Sequence, residues 1–375
     1  MAKTTKPDPD LDRGHMAAAL GLARRGLGRV WPNPSVGCVI VASGGRVVGR
    51  GFTQPGGRPH AETEALREAG SAAKGATAYV SLEPCAHHGK TPPCAEALVA
   101  AGIARCVIAA DDPDPRVAGG GIAILERAGI AITRDVLREE AVELNAGFFS
   151  RIAQGRPLVT LKLATSLDGK IATMTGESKW ITGADARALG HRLRADHDAI
   201  LVGSGTVLAD DPELTCRLPG LEGRSPIPVV LDTRLRLPLS AKLARAGTWL
   251  VTGAGQADAA LRPYRDAGIE ILVAPLAGNG SLDLAAVLRV LGERGLTRLL
   301  VEGGATVATG LINQDLVDRL AWFQAPVLIG NDSMAAIGPM AVARLDRARR
   351  FELLSAQRSG DDGFALYRRA TSVAA

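Results

Sequence analysis

Short apolar runs of strand length alternate with helix-like patterns along most of the chain, and one break divides them. The break is the segment RIAQGRP, residues 151–157, where Gly and Pro interrupt the pattern. Such alternation is typical of an α/β fold, in which helices cover both faces of a sheet. Because 375 residues are enough for two separate cores, we predict two α/β domains, over residues 11–150 and 155–375.

The periodicity also predicts the individual elements. The first block should hold helices at 11–26, 60–69, 93–101, 121–128 and 137–149, and strands at 36–42, 46–52, 76–82, 106–110 and 131–133. The second block should hold strands at 158–164, 199–202, 228–232, 249–252, 270–273, 298–302 and 319–325, with helices between several of them.

Composition excludes several classes of protein. No uninterrupted apolar stretch reaches the roughly 18 residues of a membrane-spanning helix. Five cysteines are too few and odd in number for a disulfide framework, so we expect a cytoplasmic protein. A net charge of +5 and only thirteen aromatic residues argue against nucleic-acid binding and are compatible with a small anionic substrate.

Four residues of the first block form a candidate zinc site. His60 and Glu62 lie in PHAETEAL, and Cys85 and Cys94 bracket the loop PCAHHGKTPPC. One imidazole and two thiolates leave the fourth position of a tetrahedral zinc open to water, and zinc can lower the pKa of that water to about 7. Glu62 is not needed as a ligand, so we predict that it is catalytic and carries protons between the water and a leaving amine.

Other interpretations of this site remain open. The cysteines could hold a structural zinc or be buried without metal, and His87 and His88 compete as ligands. Nucleobase deaminases use an H-x-E segment with two cysteines separated by two residues, whereas eight residues separate Cys85 from Cys94.

Glycine-rich segments follow two strands of the second block. No G-x-G-x-x-G follows a strand there, so a Rossmann fold is not indicated. The two segments are VGSGT (202–206) and VEGGATVATG (301–310). In the second, Gly303 and Gly304 lie between a strand and a helix, where small residues could let a phosphate approach backbone N–H groups at the helix start. Taken alone, Gly303-Gly304 could equally be a simple turn.

Motifs in both blocks resemble one family, the bifunctional deaminase/reductases of bacterial riboflavin biosynthesis. In the first block these are NPSVGCVIV (33–41), PHAETEAL (59–66), SLEPCAHHGKTPPC (81–94) and DDPDPRVAGGG (111–121). In the second they are LKLATSLDGKIA (161–172), GESKWITG (176–183), LVGSGTVLADDPELTCR (201–217) and VEGGATV (301–307), and the resemblance fades after about residue 337. The resemblance implies a cytidine-deaminase-like three-layer domain followed by a dihydrofolate-reductase-like domain.

The resemblance also implies binding residues. Those implied to contact NADPH are Ala164, Trp180, Thr206, Asp210, Thr233, Gly304, Ala305, Thr306, Val307, Ala308, Thr309 and Gly310. Those implied to contact substrate are Asn33, Lys162, Ser178, Arg194, Leu214, Arg217 and Glu302, and His88 and Lys90 fall where the family's loop approaches substrate. Arg194 and Arg217 could hold a phosphate as forks, and Glu302 could bind ribose hydroxyls.

Simpler interpretations exist for several of these residues. Arg194 could be a surface charge of a helix, and Trp180 could belong to the core. Asn33 could be a turn residue between two prolines, and Asp168 with Gly169 could simply form a turn.

The function that the resemblance implies has two steps. Zinc-dependent deamination of 2,5-diamino-6-ribosylamino-4(3H)-pyrimidinone 5′-phosphate precedes NADPH reduction of the ribosyl side chain, with Asp210 or Glu302 as candidate general acid. We expect a small phosphorylated pyrimidine as partner, no nucleic acid or membrane, and a homo-oligomer, either dimer or tetramer. The alternatives are a nucleic-acid adenosine deaminase with an unrelated C-terminal domain and a zinc-stabilised binding protein without catalytic activity.

Overall fold

A computed structural model describes residues 8–88 and 92–370 of the chain. The chain divides into two compact units, and their boundary lies between Gln154 and Gly155. Within the described ranges, none of the helices combines the length and the apolar character that a membrane span requires.

The first unit contains a five-stranded mixed sheet. Its strands are β1 (Gly37–Val41), β2 (Val47–Phe52), β3 (Thr77–Val80), β4 (Arg105–Ile108) and β5 (Ala131–Thr133), in the spatial order β2-β1-β3-β4-β5. Its helices are α1 (Pro9–Ala23), α2 (Ala61–Ala69), α3 (Cys94–Ala100), α4 (Gly120–Arg127), α5 (Arg138–Leu144) and α6 (Ala146–Gln154). β1 runs antiparallel to β2 and β3, whereas β3, β4 and β5 are mutually parallel. The five predicted strands are confirmed.

Two glycines show that α1 and α2 cover opposite faces of this sheet. A Cβ on Gly37 would lie 1.9 Å from the Ala19 carbonyl oxygen in α1, and a Cβ on Gly51 would lie 2.1 Å from the Ala61 carbonyl oxygen in α2. Gly51 pairs with Cys38, the residue after Gly37. Because successive strand residues face opposite ways and paired residues face the same way, the two helices lie on different faces, which confirms three layers.

The single helix predicted over 137–149 is wrong. The structure has α5 and α6 there, with Asn145 between them in a non-helical conformation. The buried Asn145 side chain accepts a hydrogen bond from Ser35 N at 2.8 Å and donates one to Ser35 O at 3.0 Å. This contact joins residues 110 positions apart in the chain, so the apolar periodicity of the segment 137–149 carries no trace of it.

The second unit contains a nine-stranded sheet and a two-stranded one. Its strands are β6 (Leu158–Thr165), β7 (Lys170–Ala172), β8 (Ala199–Gly203), β9 (Ile227–Leu231), β10 (Trp249–Gly253), β11 (Glu270–Ala274), β12 (Arg298–Val301), β13 (Arg319–Gln324), β14 (Met334–Ala335), β15 (Phe351–Ser359) and β16 (Asp362–Arg369). Its helices are α7 (Ala184–Ala195), α8 (Ser204–Asp210), α9 (Asp258–Asp266), α10 (Leu284–Glu293) and α11 (Ala305–Asn313).

Parallel strands dominate the large sheet. Its order is β11-β10-β9-β8-β12-β6-β13-β16-β15, and the first seven strands are parallel while β16 and β15 form an antiparallel hairpin on β13. All seven predicted strands of this block are confirmed. The carboxyl ends of parallel strands meet at one edge, which is where open α/β sheets place their ligands.

Candidate active sites

Three metal-binding side chains of the first unit meet beside the starts of two helices. His60 directly precedes α2, Cys94 is the first residue of α3, and Cys85 lies in the loop after β3. Their donor atoms all lie within 4.8 Å of one another. His60 Nδ1 is 3.3 Å from Cys94 Sγ and 3.6 Å from Cys85 Sγ. This donor set fits zinc with one position left for water.

The surroundings of Cys85 favour its ionised form. The Cys94 backbone N–H donates to Cys85 Sγ at 3.2 Å. Hydrogen bonds from Cys94 and from His60 outweigh the effect of burial and lower the pKa of the Cys85 thiol to about 4. Since the thiolate is the form that binds metal, Cys85 is prepared as a ligand at neutral pH.

Glu62 lies two residues after His60 and is 3% exposed. Burial, together with the charge of Cys85, raises the pKa of the Glu62 carboxyl to about 7. Both protonation states of such a group are accessible at neutral pH, which suits a residue that takes up and releases protons.

Glu83, which the sequence analysis did not single out, holds the cysteine loop in place. Its carboxylate is 3% exposed. It accepts four backbone hydrogen bonds, from the N–H groups of Asp112, Gly119, Gly121 and Ile122. Glu83 therefore ties the segment two residues before Cys85 to the start of α4. In the sequence, the one feature that could have identified Glu83 is its position between a predicted strand and the Pro84-Cys85 pair.

Other polar residues of the first unit have distinct environments. Asn33 Nδ2 donates to Gly57 O at 2.8 Å, so its side chain fixes a neighbouring turn. His87 has a buried Nδ1 without a hydrogen-bond partner among the described residues, whereas the exposed His88 pairs with Glu96 at 3.4 Å. Burial raises the pKa of Asp112 to about 6.

The remaining residue that the resemblance implied for this loop, Lys90, lies outside the described residues.

The second unit encloses a cavity of about 1380 Å³ at the carboxyl edge of its parallel strands. Sixteen side chains or backbone segments implied by the resemblance line it: Lys162, Ala164, Ser178, Trp180, Arg194, Thr206, Asp210, Arg217, Thr233, Glu302, Gly304, Ala305, Thr306, Val307, Ala308 and Gly310. These sixteen residues are up to 148 positions apart in the chain, from Lys162 to Gly310.

Two implied residues of this unit lie elsewhere. Leu214 is 3% exposed and packs in the apolar core with Val207. The Thr309 hydroxyl donates to Ala305 O at 2.6 Å and accepts from Gly338 N at 2.7 Å. The side chains of Leu214 and Thr309 therefore contact other parts of the protein and do not line the cavity.

Glu302 is the charged centre of one part of the cavity. Arg194 donates to it from Nε at 2.8 Å and from Nη2 at 3.0 Å, and Lys162 Nζ lies 3.6 Å away. Burial alone would raise the pKa of Glu302, but the two cations outweigh it and hold that pKa at about 2. A permanently ionised Glu302 has no proton to give, which argues against it as general acid.

This pairing leaves Arg217 as the more exposed arginine of the two. Arg194 also donates to Thr215 O at 2.9 Å, so it is not a surface charge of a helix. Arg217 pairs with Glu213 at 3.3 Å in solvent. His191, which the sequence analysis missed, accepts from Arg217 N at 3.3 Å and lines the cavity. In the sequence, the one feature that could have identified His191 is its position on α7, about one turn before Arg194.

Glycines shape the part of the cavity around α11. Gly304 has φ 64° and directly precedes α11. A Cβ on Gly303 would lie 3.0 Å from Val202 Cβ, and one on Gly304 would lie 3.3 Å from Thr206 Oγ1. Because Gly303 and Gly304 have no side chains, the space beside them stays open, and a phosphate can reach the backbone N–H groups at the start of α11. The segment therefore fits a dinucleotide. Trp180 is 67% exposed, which rules out a core role.

Family profiles match both units. Residues 157–363 match the RibD C-terminal domain, and residues 9–110 match the cytidine and deoxycytidylate deaminase zinc-binding region. The riboflavin biosynthesis protein RibD of Aquifex aeolicus is 40% identical over 363 residues, which cover 96% of this chain and 99% of that protein. The RibD protein of Escherichia coli is 43% identical over 364 residues, which cover 94% and 97%.

Solved structures agree with these matches. Acinetobacter baumannii RibD, form 1, superimposes with a TM-score of 0.88 at 38% identity, over 97% of this chain and all of that one. A diaminohydroxyphosphoribosylaminopyrimidine deaminase/5-amino-6-(5-phosphoribosylamino)uracil reductase from Thermotoga maritima gives 0.84 at 34% identity, over 96% and 99%. The expected fold classes of both domains are therefore confirmed.

Proposed function

The chain belongs to the RibD family, whose members are bifunctional deaminase/reductases of riboflavin biosynthesis, and we propose from this premise which residues carry each reaction. The deaminase domain spans residues 11–150 and the reductase domain spans 155–375. The substrate of the first is 2,5-diamino-6-ribosylamino-4(3H)-pyrimidinone 5′-phosphate. The second reduces the ribosyl side chain to give 5-amino-6-(5-phospho-D-ribitylamino)uracil.

The observation that carries this proposal is the convergence of His60, Cys85 and Cys94 beside the buried Glu62. These three side chains would hold a zinc ion, which would make a water molecule more acidic. Glu62, with a pKa of about 7, takes up a proton and delivers it to the departing amino nitrogen. Asn33 and the turn that it fixes border the pyrimidine.

In the reductase, NADPH supplies the hydride and the protein supplies orientation. Thr206 and residues 304–310 hold the dinucleotide, with Ala164, Trp180, Asp210 and Thr233 around it. Ser178 and Arg217, which line the cavity, border the substrate, whereas the buried Leu214 supports them from the core. Glu302 stays ionised and accepts hydrogen bonds from ribose hydroxyls, while Lys162 and Arg194 keep it in place.

The partners follow from this chemistry. The enzyme acts on a small substrate, and we propose that this substrate is a phosphorylated pyrimidine. We also propose that the enzyme works in the cytoplasm and that the chain forms a homo-oligomer. A nucleic-acid adenosine deaminase is not favoured, because relatives at 40–43% identity match both units as one chain.

The test supplies the purified protein with the phosphoribosylaminopyrimidine, with and without NADPH, and identifies products by mass. Without NADPH we expect loss of one amino group as ammonia. With NADPH we expect the deaminated product to gain two hydrogens. An unchanged substrate in both cases would refute the proposal.

A further inference from the structure

Two arginines after β9 face the reductase cavity without a counter-ion. Arg234 and Arg236 both line it. Within residues 8–88 and 92–370, neither forms a salt bridge. The other cations of the cavity differ. Lys162 and Arg194 neutralise Glu302, Arg217 pairs with Glu213, and Arg187 stacks on the Trp180 ring at 4.7 Å.

The loop that carries these two arginines, residues 232–237, is firmly built. Asp232 is 1% exposed, and its carboxylate accepts from Leu237 N at 2.7 Å and from Arg234 N at 3.4 Å. The Tyr264 hydroxyl lies 3.0 Å from the carbonyl oxygens of Leu235 and Leu237. A loop whose backbone groups are tied to buried partners presents its side chains without a large ordering cost on binding.

Gln256 adds a third tie by donating to Thr233 O at 3.0 Å. Leu235 has φ 53°, the left-handed region that a branched residue rarely adopts. The turn at Leu235 separates Arg234 from Arg236, and both nevertheless line the same cavity. The backbone ties hold this unusual conformation, and with it the spacing of the two guanidinium groups.

The arginine loop adjoins the segment at the start of α11 that fits a dinucleotide. Arg236 Nη2 donates to Ser204 Oγ at 2.9 Å, at the first residue of α8. Two residues later, Thr206 Oγ1 borders the positions that Cβ atoms on Gly303 and Gly304 would occupy. The substrate residue Arg217 instead contacts His191, on α7.

We propose that Arg234 and Arg236 bind the 2′-phosphate of NADPH and make the reductase prefer NADPH to NADH. This inference rests on the proposed function, since it assigns two further residues to the same coenzyme site. A phosphate monoester carries nearly two negative charges at neutral pH, and arginine binds it through charge-assisted paired hydrogen bonds. NADH lacks this group, so two arginines that no carboxylate neutralises recognise the difference between the coenzymes.

The test measures coenzyme binding to the full-length zinc-loaded protein, without substrate, by titration with NADPH and with NADH. Arg234→Ala, Arg236→Gln and the double variant are compared with Arg289→Ala, which removes an exposed arginine of α10 that does not line the cavity. We expect each single variant to weaken NADPH about 10-fold, and the double variant about 100-fold. NADH affinity should change less than about 3-fold in all variants, since it offers the arginines no phosphate monoester.

Further ligands separate the possible sources of the phosphate. Adenosine 2′,5′-bisphosphate should lose affinity in the double variant as NADPH does, whereas adenosine 5′-monophosphate should not. Weakened binding of the deaminated pyrimidine phosphate, with NADPH binding intact, would overturn the assignment in favour of the substrate phosphate. Equal losses for NADPH and NADH would also overturn it.

The parent protein distinguishes this inference from the proposed function. A parent that binds both coenzymes equally well overturns the inference and leaves the reductase assignment standing. A parent that binds neither coenzyme overturns both.

Discussion

Arg194 binds the Glu302 carboxylate through two hydrogen bonds, from Nε to Oε1 at 2.8 Å and from Nη2 to Oε2 at 3.0 Å. Both side chains are largely buried, at 15% and 8% exposed. The two residues are 108 positions apart in the chain, so the contact joins α7 to the end of β12. It sets the electrostatics of the substrate side of the reductase cavity.

Glu302→Gln should therefore damage both stability and reduction. The variant leaves Arg194 and Lys162 without their counter-charge, and breaking a buried pair typically costs about 3–5 kcal/mol. Urea unfolding followed by tryptophan fluorescence should show a lowered midpoint for the second unit. Glu213→Gln removes a partly exposed partner of Arg217 and should cost at most about 1 kcal/mol. Equal midpoints for the two variants would contradict the structural role of Glu302.

Removal of one zinc ligand should abolish deamination only. We expect the parent to contain about one zinc per chain, and Cys94→Ser to lose both zinc and ammonia release, since a three-donor site cannot spare a thiolate. Reduction of already deaminated substrate should persist. Metal analysis and ammonia assays measure both effects.

Cys216→Ala is the matched control for this variant, because Cys216 is a buried cysteine of the other unit. The Cys216→Ala variant should contain as much zinc as the parent protein. Active parent protein without zinc would refute a zinc mechanism.

Glu62→Gln separates proton transfer from metal binding. The zinc content should stay at the parent value, because Glu62 is not one of the three donors. Deamination should fall by about 10²-fold or more, the scale of general acid–base catalysis. Glu68→Gln, which changes an exposed carboxylate of the same helix that pairs with Arg50, should keep the parent rate. A near-normal rate in Glu62→Gln would remove its assigned role.

The zinc site and the reductase cavity differ in how far the sequence alone predicts them. His60, Glu62, Cys85 and Cys94 lie within 35 residues and in short motifs, so residue type and spacing were enough to propose that they meet. The contact between Arg194 and Glu302 depends on the order of strands in a sheet, which local periodicity does not encode. Arg194 was accordingly expected to hold a phosphate, although its fork is occupied by Glu302.

The strands of the parallel sheet were predictable because they are buried on both faces and form continuous apolar runs. The hairpin of β15 and β16 was not predicted. Nearly all of β15 is exposed, and its sequence FELLSAQRS shows no alternation of apolar and polar residues. Pairing with β13, rather than its own pattern, determines that this hairpin is part of the sheet.

Acid should destabilise the second unit through His197. This imidazole is 2% exposed, and burial together with Arg298 lowers its pKa to about 3, against about 6.5 in an unfolded chain. A lowered pKa in the folded state means that its contribution is complete above pH 6.5 and is lost as the pH falls towards 3. At pH 4.5 the loss amounts to about 2–3 kcal/mol.

The expected result is a melting temperature that falls from pH 7 to pH 4.5 more steeply in the parent than in His197→Gln. The variant will be less stable at pH 7, because the ring hydrogen-bonds Thr160 Oγ1 at 2.9 Å and Leu193 O at 2.6 Å. The difference in slope is therefore the test, and parallel slopes would exclude His197 as a source of acid sensitivity.

Gly304→Val should block NADPH binding and spare deamination. At φ 64° a β-branched residue is strained, and its Cβ would lie 3.3 Å from Thr206 Oγ1, where the coenzyme phosphates are proposed to reach the backbone. Gly223→Ala, at a position with open space and no positive φ, should bind NADPH as the parent does. Ammonia release should be unchanged in both variants, because the zinc ligands and Glu62 belong to the other compact unit. NADPH titration and an ammonia assay on the same preparations measure coenzyme binding and deamination. Tight NADPH binding by Gly304→Val would refute the placement of the coenzyme at 304–310. Lost deamination in folded Gly304→Val would refute the independence of the two sites.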